Sequence, residues 1–221
     1  MRPERHLSIL AIILLNAAVF AWEQSRETDF AFDYGATPAS ISDAARALVD
    51  GNLNSEVAQK LSTLLTAMFL HGDVAHILYN MVFLWAFGYL TSEHLGQWWA
   101  LAAFVFCGVC GNIAQVCLNL ESPFPIIGAS GAVCGFEGIY LGLALRWALP
   151  WPDVWPLAHP VPPRQLAAFA VVGFVIDMVL LTNHDQQIAY GAHVGGFLSG
   201  LAIAAIVTTV FPTLAAYWRT G

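Results

Sequence analysis

Residues 126–148 read Ile126-Ile127-Gly128-Ala129-Ser130-Gly131-Ala132-Val133-Cys134-Gly135-Phe136-Glu137-Gly138-Ile139-Tyr140-Leu141-Gly142-Leu143-Ala144-Leu145-Arg146-Trp147-Ala148. The run is long enough to cross a bilayer as a helix, which takes roughly 17–25 apolar residues. A strand of a membrane barrel would alternate apolar and polar residues, whereas a continuously apolar segment in lipid satisfies its backbone as a helix. Working outward, five more such blocks occupy residues 7–22, 74–90, 98–118, 166–182 and 188–211, and Arg146 is the one Lys or Arg inside any of the six. The predicted fold class is therefore all-α: a polytopic membrane protein of six transmembrane helices, with residues 1–221 forming a single membrane domain.

Composition points the same way. The chain is 58% hydrophobic and 10% charged, against about 45–50% apolar and 25% charged for ordinary soluble domains, so it has too few charges to cover a water-facing surface. Trp22, Trp98, Trp99, Trp147, Trp151, Trp155 and Trp218 lie at or beside block ends, where tryptophan anchors at the membrane–water interface. The first block, preceded by Arg2 and Arg5, also fits the apolar part of a signal peptide ending at Ala21; cleavage would leave five spans in the same orientation, and a retained first span is expected.

A net charge of −7 without a cluster of Lys and Arg excludes nucleic acid as a partner. Placing the N-terminus inside puts Arg2, Arg5, Arg146, Arg164 and Arg219 on the inner side against Arg26, Arg46 and Lys60 on the outer, the orientation the positive-inside rule favours. The outer three are diluted through a first loop, residues 23–70, in which Glu23, Glu27, Asp29, Asp33, Asp43, Asp50 and Glu56 make an acidic, solvated stretch. Ala44-Ala45-Arg46-Ala47-Leu48-Val49 and the periodic run from Val57 to Leu70 predict short helices lying at the interface. Pro150, Pro152, Pro156, Pro160, Pro162 and Pro163 stop helix continuation and make the fourth loop a linker. Cys107, Cys110, Cys117 and Cys134 all fall inside predicted spans, so no disulfide framework is indicated; the Cys107-Gly108-Val109-Cys110 spacing suits a packing surface better than a metal site.

Polar residues in lipid are expensive and mark candidate function; here they are His71, His76, Asn80, Ser130, Glu137, Asp177 and His193. With the N-terminus inside, spans two, four and six begin on the outer side, and His76, Ser130 and His193 each lie near the start of one. Ser130 sits in the first turn of its helix, where backbone N–H groups lack helical partners and the positive helix end favours a developing anion; a capping or packing serine is the alternative. The stretch is not a Gly-x-Ser-x-Gly elbow, since position 132 is alanine. Gly128, Gly131, Gly135, Gly138 and Gly142 face Gly191, Gly195, Gly196 and Gly200 in prospect, and such surfaces let backbones approach closely. His193 would then reach Ser130 as the base that accepts its proton, with no acid obviously placed to orient it. His76 and Asn80, four apart, share a helix face as candidate oxyanion donors or as a buried polar pair. Zinc held by His71, His76 and His193 is a weaker reading, because His71 and His76 lack the spacing of His-Glu-x-x-His. Glu137 lies roughly 10 Å deeper than Ser130 at 1.5 Å per residue, out of direct reach, and Asp177 has no assigned role.

The stretches His71-Gly72-x-x-x-His76-x-x-x-Asn80-Met81, Glu93-x-x-Leu95-Gly96, Gly128-Ala129-Ser130-Gly131-Ala132 and Gly191-Ala192-His193-Val194-Gly195-Gly196 together resemble the rhomboid family of intramembrane serine proteases, over roughly residues 61–205. The resemblance implies a rhomboid-like six-helix bundle, Ser130 as nucleophile and His193 as general base in a dyad without a third acid, and His76 and Asn80 as oxyanion-hole residues. It further implies hydrolysis of peptide bonds in or near transmembrane segments of other membrane proteins, beside a small residue, with neither metal nor organic cofactor. Substrate entry past the fifth span and a nearby loop, and residence in a bacterial plasma membrane with the active site outward, are further expectations of the resemblance. Two departures stand out. Ser62-Thr63 lies where many members carry Trp-Arg, and Cys134 lies where some carry a tyrosine that stacks on the catalytic histidine, so His193 must be held another way. A catalytically silent protein that binds transmembrane helices, and a transporter relaying protons through Glu137 and Asp177, are the competing readings.

Overall fold

The computed structural model describes residues 6–26, 30–157, 161–180 and 188–211; Arg2, Arg5, Glu27, Asp29, Pro160, Trp218 and Arg219 lie outside them. Within them are helices α1 (Leu7–Gln24), α2 (Phe30–Tyr34), α3 (Pro38–Val49), α4 (Ser55–Thr66), α5 (Val74–Phe83), α6 (Tyr89–Leu95), α7 (Gln97–Leu118), α8 (Ser130–Ala144), α9 (Pro163–Leu180) and α10 (Tyr190–Val210). Five segments are long and apolar enough to cross a membrane, and α8 is a shorter apolar helix. The chain is an integral, multi-pass helical membrane protein.

Asp73 starts the second span: its carboxylate caps α5 by accepting from the His76 N–H at 2.7 Å, satisfying a donor that the helix leaves orphaned. One π turn, Leu84–Gly88, joins α5 to α6, so Val74–Leu95 runs as a continuous 22-residue span. Gly96 then reverses the chain with φ +89, a left-handed conformation that glycine adopts without penalty, and α7 follows at once.

Helix α8 is the hub, with Ala132, Phe136, Ile139 and Leu143 all at 0% exposure. It packs against α10 most extensively, and both pack against α7. Glycines of α8 make this possible: Cβ atoms at Gly131, Gly138 and Gly142 would meet Ala192, Phe197 and Ala204 of α10, and one at Gly135 would meet Cys107 of α7 first and then the Gly196 carbonyl of α10. The reverse face is divided. Gly196 and Gly200 of α10 lie against the Gly131 and Gly135 carbonyls of α8, whereas Gly191 and Gly195 face Gln115 and Ala114 of α7. Half of the α10 glycines expected to meet α8 therefore serve the third span instead.

The fourth helix starts later than hydrophobicity predicts. Ile126 is extended and forms an antiparallel bridge with Ala36, and the Gly128 N–H donates to the Ala67 carbonyl at 2.8 Å. Apolarity marks a segment as buried, but here the first loop's backbone competes for Ile126 and Gly128 and wins. With 15 residues and a rise of 1.5 Å each, α8 spans about 22 Å, less than the roughly 30 Å hydrocarbon core, which sets its serine end within the bundle.

The first loop holds α2, α3 and α4, and its attachments explain its order. Asn112 of α7 donates to the Leu64 carbonyl at 2.8 Å, Ser42 to the Leu120 carbonyl at 3.2 Å, and Met68, 1% exposed, fills the space beside Gly108. Ser62 and Thr63 fold back on the Gln59 and Lys60 carbonyls of α4. Trp98, Trp99, Trp151 and Trp155 are more than half exposed at segment ends, but Trp147 is 7% exposed and packs in the core. The side chain following Arg146 is thus drawn inward rather than toward an interface. By contrast α9 packs chiefly on α8 and α10 alone, and turns Phe169, Val172 and Val175 outward.

Candidate active site

Ser130 is the first residue of α8, after Ala129. The first N–H groups of a helix have no carbonyl four residues back, so the donors of Ser130, Gly131 and Ala132 remain available beside its hydroxyl. His193 lies in the first turn of α10, and the glycine contacts between α8 and α10 bring its Nε2 to 2.9 Å from Ser130 Oγ. Its other ring nitrogen, Nδ1, lies 3.1 Å from Asp177 Oδ1 on α9. The His193 and Asp177 side chains are 16% and 19% exposed. Tyr190 meets the His193 ring edge-on, with centroids 6.0 Å apart. With the serine O–H donating to Nε2, the imidazole proton sits on Nδ1 and donates to the carboxylate, an assignment made from the pairing.

His76 and Asn80 line the same cavity, of about 760 Å³, between α5, α8, α9 and α10. Gly128 decides their approach. Its φ is +114, and a Cβ there would lie 2.7 Å from His76 Nε2 and 3.8 Å from Asn80 Nδ2. The Gly72 N–H points at His76 Nδ1 from 3.4 Å, leaving the ring proton on Nε2, and one Asn80 amide proton donates to the His76 carbonyl at 3.0 Å. Two side-chain donors thus border the backbone two residues before the serine hydroxyl. A methyl at position 128 would both strain a left-handed residue, at about 1–2 kcal/mol, and displace His76. We expect Gly128→Ala to lower the melting temperature in detergent and to slow serine acylation by at least the 10²-fold typical of losing one oxyanion donor.

His71 lies behind His76, with the two rings edge-on and their centroids 5.1 Å apart, and does not line the cavity. It is 2% exposed, its backbone N–H points to the Glu23 carboxylate from 3.4 Å, and its ring nitrogens are buried. Among the described residues the three histidines do not gather around one point. The group whose ligand atoms come within 4.8 Å of one another is Cys134, Asp177 and His193, in which the last two already bond each other. Burial, reinforced by the nearby His76, pushes the His71 imidazole down to about 4. Its folded value is below the unfolded one, so its neutral form belongs to the fold: the contribution is full above about pH 6.5 and lost as pH falls toward 4, by roughly 3 kcal/mol at most. Melting in detergent at pH 7 and pH 5 should show a drop that His71→Gln reduces.

Glu137 lines the same cavity and reaches toward Gly173 of α9; it makes no hydrogen bond with Ser130. Asp177 is the site residue that sequence reasoning missed. The signal was present, since Asp177 is three residues from the end of α9 and His193 three from the start of α10, equal depths on consecutive antiparallel helices.

Five apolar spans and the shorter helix α8 place a half-buried serine at a helix start within hydrogen-bond distance of a histidine, in a helical membrane protein. The rhomboid domain matches residues 58–210, and the chain belongs to the rhomboid family. Its relatives include the rhomboid protease GluP of Bacillus subtilis, 29% identical over 68% of this chain and 28% of that protein. The chloroplastic rhomboid-like protein 11 of Arabidopsis thaliana is 28% identical over 67% of this chain and 52% of its own length. The human inactive rhomboid protein 2 is 31% identical over 69% of this chain and 16% of its own. The chain thus spans about half or less of the length of these relatives.

Proposed function

We propose that this chain is an intramembrane serine endopeptidase that hydrolyses peptide bonds in or near transmembrane segments of other membrane proteins. The 2.9 Å contact between His193 Nε2 and Ser130 Oγ carries this reading, because a serine hydroxyl is a weak nucleophile until a positioned base accepts its proton. Ser130 attacks the scissile carbonyl as His193 takes the proton, and the developing oxyanion is held by the Ser130 N–H, His76 Nε2–H and the Asn80 amide. His193 then protonates the leaving amine, and water, activated by the same imidazole, hydrolyses the acyl-enzyme. The cavity supports this reading, since it meets the dyad and is lined by both α5 and α9, between which a substrate helix unwinding toward Ser130 would enter. The orientation with the N-terminus inside, the active site outward and a bacterial plasma membrane as residence belong to the same proposal.

The test is cleavage of single-span membrane proteins co-reconstituted with the chain in liposomes: products should form with the parent and vanish with Ser130→Ala. Replacing His76 or Asn80 by alanine should each lower kcat by about 10²–10³ while leaving KM nearly unchanged, as expected for donors engaged only in the transition state. An inactive human relative at 31% identity favours one second reading, a silent binder of transmembrane helices. That reading predicts retention of single-span proteins by parent and Ser130→Ala alike, without products.

A further inference from the structure

Resting on the reading of Ser130 as nucleophile and His193 as base, we infer that Asp177 is a positioning residue, which holds His193 by its Nδ1 proton and completes a Ser130–His193–Asp177 triad.

A neutral imidazole carries one ring proton, and His193 can accept from Ser130 only if that proton is on Nδ1. Something must hold it there. Tyr190 presents its ring at 83° to the imidazole, and the Cys134 sulfur, whose ligand atom lies within 4.8 Å of those of His193 and Asp177, is a weak acceptor. The Asp177 carboxylate, with Oδ1 at 3.1 Å, is the group that meets Nδ1. Its setting needs explaining in any case. On α9 it sits between Ile176 and Met178, which are 51% and 42% exposed on the outward surface, and an ionisable side chain within a membrane helix is costly unless it faces the bundle and finds a partner. Turned inward onto His193, it is partnered.

In the reaction, the Ser130 proton passes to Nε2 as the Oγ–C bond forms, and the imidazolium is stabilised by the Asp177 carboxylate, which stays ionised. When the C–N bond breaks, the Nε2 proton goes to the leaving nitrogen, and the Nδ1 proton has not moved. Asp177 therefore sets the tautomer and the ring orientation without taking a proton, the role of the acid in soluble serine proteases. Glu137 and His76, which line the same cavity as Asp177 and His193, complete the ionisable surroundings. Because α9 packs chiefly on α8 and α10, the triad assembles only while α9 is docked.

The test uses the full chain in detergent, a fluorophosphonate probe and a cleavable transmembrane substrate. Asp177→Asn should label about 10²–10⁴-fold more slowly than the parent, with kcat reduced, KM unchanged and the melting temperature near the parent's; Asp177→Glu should recover part of the rate. In ¹⁵N-histidine-labelled parent and in Ser130→Ala, the His193 resonances, assigned by difference from His193→Gln, should show the proton on Nδ1. Labelling of Asp177→Asn at the parent's rate, or a His193 proton on Nε2 in the parent, overturns the inference while the serine reading stands. If the parent takes up no probe, the serine reading falls and the role of Asp177 with it. Should Asp177→Asn fail to fold, the tautomer measured in the parent decides.

Discussion

Ser130→Ala is expected to abolish proteolysis, lowering kcat by about 10⁴–10⁶-fold, with His193→Ala as severe and the double variant no worse than either. The scale and the non-additivity are those of residues acting as one unit: without the base the hydroxyl is not activated, and without the hydroxyl the base has nothing to activate. Stability should hardly change in Ser130→Ala. Ser130 is the first residue of α8, following Ala129, whose side chain makes no cap hydrogen bond, and among the described residues its side chain bonds to His193. Losing one such bond costs about 0.5–1.5 kcal/mol, and His193 retains Asp177. Rates with the co-reconstituted substrate and melting curves in detergent separate the two effects.

The second large effect is on packing. At Gly196 a Cβ would overlap the Gly131 carbonyl of α8, and the atom in the way is backbone, which cannot turn aside. Gly196→Leu must therefore part α8 from α10. Overpacking of this kind costs about 1–3 kcal/mol or more, and a shift of about 1 Å between His193 and Ser130 alone suffices for a 10²-fold loss of rate. Gly191→Ala is the informative contrast. Its new methyl meets chiefly the Gln115 and Leu118 side chains, which can rotate away, with the Gln115 Cα at 3.3 Å asking a shift of a few tenths of an ångström, so it should melt closer to the parent than Gly196→Leu and label at a similar rate. If both variants behave like the parent, the glycine contact is not what sets the serine–histidine distance.

Much of the fold was legible because the spans are apolar without interruption, and that signal needs no neighbours to be read. The start of α8 was not legible. Ile126 and Ile127 are as apolar as the helix they precede, and only the bridge to Ala36 and the φ of +114 at Gly128 show that the chain there is extended. The π turn at Leu84–Gly88 likewise has no mark in composition. Glycine spacing did indicate that α8 and α10 approach closely, yet periodicity assigns a residue to a face and not to a partner, so Gly191 and Gly195 were placed on α8 when they serve α7. Trp147 shows the same limit of local reading, since a tryptophan at a span end is equally compatible with an interface and with the core it enters.

For the candidate site, Ser130, His193, His76 and Asn80 could be singled out because each is polar, near the start of a span and in a stretch that resembles one family. Asp177 lies on a span running the other way, where depth must be counted back from the helix end, and it occupies none of the stretches that carry the resemblance. The sequence therefore offered a base without a visible partner, while the structure sets a carboxylate at 3.1 Å from its Nδ1.

The most direct test is intact-mass and peptide analysis of the detergent-solubilised chain after reaction with a fluorophosphonate. The account predicts one adduct, on Ser130, absent from His193→Ala although that variant remains folded. A folded parent that forms no adduct, or an adduct on another serine that survives Ser130→Ala, would contradict the account.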